Sequence, residues 1–401
     1  MLKIRQLFSV FWPMLVGIIV GVIAMVINPQ LRFSKTVSPL SPLGEILEGS
    51  VKSRTSVKQV IGFLPYWLVK KAEVPFDVLN QLVYFGVTLS ADGNLLKRKT
   101  SQEMELGWHT LGLNETQNLL KQSRAKKVKT ILAVTAFDNE LIDNLTSDPS
   151  IKDRAIEAIA TTVNDYHFDG ANIDFEYVFT KKFSPQSGQN LAQFLKDLKF
   201  RLQQDNSQAI VSVDLYVNGV IHDQPYNITA LSESADQVII MAYDFHTQHS
   251  SQAGPVAPLR SDGSFKSITE GLQAALRKKV PLNKLILGIP LYGYEWQTTS
   301  KEFMAPTYPE SGVLATYKRI KQLLREEDLE IFWDASSLSP WLTYEKDGKI
   351  QQVYFDNERS INYKLQLVDQ LQMQGVAFWA LGYEGEEKQI WTGVKDWQEK
   401  D

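Results

Sequence analysis

Eight short apolar runs recur between residues 59 and 381, and most of the chain between them mixes polar and apolar residues as surface helices do. In order they are Gln59–Trp67, Gln81–Thr88, Val128–Ala136, Phe168–Glu176, Ala209–Val217, Gln237–Asp244, Leu285–Tyr294 and Gly375–Leu381. Near-continuous apolar runs suit strands buried on both faces, as in a parallel sheet with crossover helices. The clearest helices between them are Asp153–Asp165, Asn190–Gln204, Ile268–Lys279 and Ile361–Gln374. The second sets Leu191, Phe194, Leu195, Leu198 and Leu202 on one stripe. Eight strand-then-crossover units predict an α/β chain folded as a (β/α)8 TIM barrel. A doubly wound open sheet is the alternative, but no GxGxxG turn follows any run. The interval 295–357 is too long for one helix and holds strand-like pieces at Trp341–Tyr344 and Gln351–Phe355. It predicts a small α+β insertion between strands 7 and 8.

Ahead of the barrel, Leu7–Ile27 runs for 21 residues without a charge. At ~1.5 Å per residue a helix of that length crosses the ~30 Å hydrocarbon core. A cleaved signal peptide has a shorter apolar core, roughly 7–15 residues, and a small-residue cleavage site. The segment MVINPQ after Ala24 offers none. The expectation is an uncleaved transmembrane anchor over 1–27, with a secreted protein as the outcome if it is cut. Gly17 and Gly21 form a lone GxxxG, a weak sign of helix pairing. Residues 28–56, with Pro29, Pro39 and Pro42 among serines, read as a linker, and 57–401 as the barrel.

Charge and composition narrow the functional classes. Six basic and two acidic side chains precede residue 57, which leaves 36 basic against 44 acidic beyond it. So acidic a body does not suit nucleic acid or the face of an anionic membrane. The chain has no cysteine, which removes thiolate ligands and a cysteine nucleophile. Its five histidines are scattered apart from His246 and His249, so neither a metal site nor a cofactor is expected.

The chemistry concentrates in the fourth run, Asp169-Gly170-Ala171-Asn172-Ile173-Asp174-Phe175-Glu176. A strand sends alternate residues to one face, so Asn172, Asp174 and Glu176 point together into the barrel while Ile173 and Phe175 meet the helices. Buried carboxylates are costly unless they meet one another, donors or a ligand. Chemistry in this fold gathers at the C-terminal strand ends, where Glu176 stands. Adjacent carboxylates cannot both ionise cheaply, which leaves a glutamic acid able to donate a proton near neutrality.

These residues resemble glycoside hydrolase family 18, the chitinase-like retaining enzymes. DGANIDFE looks like the family's DxxDxDxE strand, Met241-Ala242-Tyr243-Asp244 like its MxYD, and Gly375-Val376-Ala377-Phe378-Trp379 like its last strand. Phe355–Ser360 and Lys364 look like the end of its inserted subdomain. Gly254–Pro258 and Tyr292–Trp296 look closest to the spore-germination and cortex-lytic N-acetylglucosaminidase branch. The family is one of the substrate-assisted exceptions among glycosidases. The resemblance implies that the substrate's own acetamido oxygen attacks the anomeric carbon. Glu176 then serves as acid and base, Asp174 orients the acetamido N–H, and Tyr243 donates to its oxygen. Asp244, Asn172 and Asp169 support them, and Trp379 floors the sugar. Asn172 stands where the family strand has an aspartate, so Asp174 is expected to ionise more readily.

Tyr66, Trp67, Tyr216 and Trp296 lie at other strand ends and are expected to stack on sugar rings; Asn218 and Arg260 are polar candidates. The implied enzyme is a monomeric glycosidase cutting β-1,4 bonds of glycans that contain N-acetylated amino sugars, peptidoglycan or chitin. Its barrel is expected outside the cytoplasm, at the cell surface or in the periplasm. A non-hydrolytic lectin on the same fold is the alternative.

Overall fold

The structure is a computed structural model that describes residues 58–400. The expected anchor (1–27) and linker (28–56) lie outside the described residues. Among those described, no helix is long and apolar enough to cross a membrane.

Seven parallel strands come first: β1 (Gln59–Pro65), β2 (Gln81–Thr88), β3 (Lys129–Ala136), β4 (Gly170–Phe175), β5 (Ile210–Tyr216), β6 (Gln237–Met241) and β7 (Leu285–Pro290). The chain then leaves for β8 (Tyr292–Gln297), β9 (Val313–Thr316), β10 (Phe332–Asp334), β11 (Ser339–Lys346) and β12 (Lys349–Tyr354), and returns as β13 (Gly375–Trp379). β1–β7 and β13 close into an eight-stranded barrel in the order β1-β13-β7-β6-β5-β4-β3-β2. Inward residues Ile61, Phe63, Val83, Ile131, Ile239 and Ile286 fill its centre. Helices cover the outside: Phe175 on β4 turns outward to Phe194 of helix Ser187–Asp205, ring centroids 5.5 Å apart. At the foot of β4 only glycine fits, since a Cβ on Gly170 would stand 2.0 Å from the carbonyl oxygen of Ile210.

Two helices begin earlier than their apolar periods suggest, because caps set their starts. Pro149 opens the helix Pro149–Asp165 while the Asp148 side chain accepts from the Ile151 amide. Helix Glu358–Gln370 starts at a capping box between Asn357 and Ser360.

The insertion opens at Tyr292, before the expected 295. Leu285–Tyr294 is one apolar run in sequence but two strands in space, divided at Leu291. The Leu291 amide donates to the Trp379 carbonyl (2.7 Å) and its carbonyl accepts from Tyr317 (2.9 Å), which turns the chain out of the barrel. The insertion is a five-stranded antiparallel sheet, β10-β11-β12-β8-β9, with helix Tyr317–Glu326 beside it.

Candidate active site

β4 delivers its polar residues to the barrel interior. Asn172 and Asp174 are buried, 0% and 3% exposed, and Glu176 stands one step past the strand, its amide still bonded to the Ala136 carbonyl on β3 (2.9 Å). Asp174 and Glu176 are close enough to shift one another's proton affinity. The Tyr216 hydroxyl, at the end of β5, donates to Glu176 Oε2 (2.7 Å). Burial, then repulsion from Glu176 and Asp214, pushes the Asp174 carboxyl well above the ordinary range. Burial also raises Glu176, and the Asp244 charge adds to this, while the Tyr216 hydroxyl opposes it.

Asp244 follows β6 with φ of 60°, a left-handed conformation that aspartate tolerates. Its Oδ1 accepts from the hydroxyls of Tyr292 (2.5 Å) and Tyr294 (3.1 Å), both on β8. Burial raises its carboxyl, and the two hydroxyls offset part of that rise.

Two cavities of about 480 and 500 Å³ share Phe137, Glu176, Tyr216, Tyr243 and Asp244, so Glu176 lies where they adjoin. Each is within the usual size of a small-molecule site. The first runs over Asp174, Tyr243 and Trp379, with Tyr66 and Trp67 on its wall. The Trp379 ring sits edge-on to Phe85, centroids 4.8 Å apart, and 5.9 Å from Phe63. Trp67 is 44% exposed at the rim. The second runs past Phe179, Asn218 and Phe245 to Lys266, the one basic side chain among the residues lining either cavity.

Several expected site residues are elsewhere or act otherwise. Trp296 is fully buried in the insertion, its indole N–H donating to the Thr247 carbonyl (3.1 Å). The alternation Tyr292, Tyr294, Trp296 puts all three on the packed face of β8, so this ring is core and lines neither cavity. Asp169 does not line either cavity: at the foot of β4 its carboxylate accepts from the Thr130 amide (2.7 Å) and ties β4 to β3. Arg260 donates to the Ala335 carbonyl (2.9 Å) and lines neither cavity. Tyr216 presents its hydroxyl to Glu176 rather than a free ring face. Asn172 lies beneath the first cavity, donating to Ser212 Oγ (3.0 Å) and Asp214 Oδ1 (2.8 Å).

Asp214 was not among the expected residues. It lines the first cavity, and burial raises its carboxyl to about 8. Its presence, with the burial of the whole set, reverses the expectation that Asp174 ionises more readily. The signal was in the sequence: Ser212, Asp214 and Tyr216 alternate with Val211, Val213 and Leu215 on β5, as the polar residues do on β4.

The sequence model of the family described as "Glycosyl hydrolases family 18" matches residues 59–384. The uncharacterized glycosylase YvbX of Bacillus subtilis (strain 168) is 27% identical over 287 residues, 69% of this chain and 77% of that protein. The cortical fragment-lytic enzyme of Bacillus anthracis is 24% identical over 313 residues, 76% of this chain and 65% of that one. Among solved structures, a GH18 chitinase from Cycas revoluta in complex with (GlcNAc)3 superposes with a TM-score of 0.69 at 20% identity, covering 85% of this chain and 98% of that one.

Proposed function

The chain belongs to glycosyl hydrolase family 18, and on that premise we propose that it cleaves β-1,4 linkages of N-acetylglucosamine-containing glycans with retention of configuration. Peptidoglycan is the proposed substrate, with chitin-type oligosaccharides second. The observation that carries this reading is the Asp174–Glu176 pair at the junction of two cavities. A glycan laid through both puts the scissile bond beside Glu176, with a sugar on each side.

In the ground state Asp174 holds a proton and shares it with Glu176. When the sugar binds above Trp379, its acetamido N–H becomes the partner of Asp174, and the proton passes to Glu176. Glu176 then gives it to the leaving glycosidic oxygen while the acetamido oxygen closes on the anomeric carbon. Asp174, now charged, balances the positive oxazolinium ring, and Tyr243 donates its hydroxyl to the same group. Glu176, now a base, takes a proton from the water that reopens the ring. Asp244 holds substrate hydroxyls while Tyr292 and Tyr294 hold Asp244.

Peptidoglycan is favoured over neutral chitin by the likeness to a cortical fragment-lytic enzyme, and by Lys266, which lines the second cavity and can exchange its Glu270 partner (2.6 Å) for a carboxylate of the glycan. The 21-residue uncharged span supports an anchored protein whose barrel faces the glycan outside the cytoplasm. A reporter fused to the C-terminus is then active only outside; activity in the cytoplasm overturns that placement.

The test of the activity compares the full chain with E176Q on peptidoglycan and on chitooligosaccharides, with the product anomer read by NMR. Release by the wild type alone, with the β-anomer formed first, is expected. Equal release by both proteins overturns the assignment of Glu176, and binding without release by either favours the lectin.

A further inference from the structure

β4 carries a neutral amide between Asp169 and Asp174, yet among the five acids lining the first cavity one, Asp214, reaches in beside Asn172 from β5. Asn172 has two amide hydrogens and turns both toward β5, one to Ser212 Oγ at 3.0 Å and one to Asp214 Oδ1 at 2.8 Å. It has none left for Asp174. Asp174 Oδ1 and Asn172 Oδ1 are both buried with no hydrogen-bond partner. No basic side chain lines this cavity. The titratable groups that interact with Asp214 are Asp174 on β4, Glu176 just past its end and Tyr243 after β6, while Tyr216 and Asp244 line the same cavity. All are acids or phenols.

We propose that Asp214 is a positioning residue of the reaction: from β5 it supplies the buried carboxyl that β4 lacks at Asn172, and so completes with Asp174 and Glu176 a set of three that hold their protons in common. The proposal rests on the glycosidase reading given above. Asn172 and Asp214 form a matched pair, one donor and one acceptor, in which the positions of amide and acid are interchangeable. N172D alone sets acceptor against acceptor; adding D214N restores the bond with its sense reversed. No bond to the substrate is made or broken on Asp214. It acts through the shared set: as its own proton leaves, the charge that forms on Asp214 holds the proton on Asp174 until the sugar arrives and the proton is needed on Glu176. The upward shifts of Asp174, caused in part by Asp214, and of Asp214 itself agree with this.

The test is a cycle of D214N, N172D and N172D/D214N in the full chain, with kcat/KM on chitooligosaccharides measured against pH. In D214N a repelling charge is gone, so the shared proton leaves at lower pH. The alkaline limb then moves down by about 1–3 pH units, the effect of one charge at this range. In N172D an added acid moves the limb upward and lowers activity, and the double variant returns it toward the wild-type position. An unmoved limb in D214N, or a double variant no better than N172D, overturns the proposal and leaves Asp214 a packing residue. Titration of ¹³C-labelled aspartate carboxyls by NMR reads the same cycle without turnover. If the wild type releases no glycan, that titration still decides between a coupled and an uncoupled Asp214.

Discussion

Asp174 and Asp214 in the barrel and Asp356 beyond the end of β12 are about equally buried, 3%, 3% and 4% exposed, but their partners are opposite in kind. Asp356 accepts from Lys364 Nζ at 2.6 Å and from Ser360 Oγ at 2.5 Å, and Lys364 is itself fully buried. Asp174 and Asp214 meet one amide and other acids, and no cation. The Asp356–Lys364 pair ties helix Glu358–Gln370 to the segment that precedes it. A buried carboxyl among carboxyls has no fixed charge state, and its proton is free to move. The fold supplies a counter-ion where an acid is structural and withholds it where an acid has to exchange a proton.

That contrast breaks or sharpens on four measurements. The largest effect belongs to E176Q, which removes the exchangeable proton while keeping shape. kcat falls by about 10²–10⁴-fold, the usual contribution of a positioned general acid, while the melting temperature stays level or rises. A parallel loss of stability would make Glu176 structural in the manner of Asp356. Next is K364M, which strands Asp356 without its partner and costs about 3–5 kcal/mol in urea unfolding. The kcat of the folded fraction is unchanged, and D356L/K364M regains much of the stability. A cost below about 1 kcal/mol, the scale of an exposed pair, would erase the distinction between the two regions.

The third measurement is stability against pH. Asp174, Glu176 and Asp214 all have carboxyls raised in the folded state. Above the unfolded value, near 4, the folded chain therefore binds more protons than the unfolded one, and stability falls as pH rises. For Asp214 the window closes at about 8. Thermal melts from pH 4.5 to 8.5 should show this decline, and D214N should flatten it; a rise in stability over that range for the wild type would contradict the shared-proton site. The smallest effect is that of K266A at the far end of the second cavity. It should lower kcat/KM on peptidoglycan by up to about fivefold, the worth of an exposed ion pair, and leave neutral chitooligosaccharides unaffected. An equal drop on both substrates would make Lys266 a packing residue.

Much of this architecture was legible in the sequence, for identifiable reasons. Barrel strands are covered on both sides, so Val128–Ala136 or Gln237–Asp244 announce themselves as near-continuous apolar runs. The period of two on β4 placed Asn172, Asp174 and Glu176 on one face and Phe175 on the other, as the structure has them. What stayed hidden depended on distant partners. The break at Leu291 is made by Trp379 and Tyr317, far along the chain. An aromatic at a strand end can stack, pack or donate, and Trp296 and Tyr216 took the second and third courses. Asp214 was overlooked because it is a lone acid on its strand, and its meaning lies in Asn172, 42 positions earlier.

β8 belongs to two structures at once: it is the first strand of the insertion sheet, and its tyrosines hold Asp244 at the cleft. For protein engineering, this means that the insertion is not a detachable module. A chimera joined at Leu291, where the barrel strand has ended, would carry away the two phenols that anchor Asp244. A graft that exchanges only the residues after Gln297, with β12 still pairing to β8, keeps that anchor while renewing the rest. The seam for exchanging subdomains in this chain therefore lies one strand inside the insertion, not at its topological border.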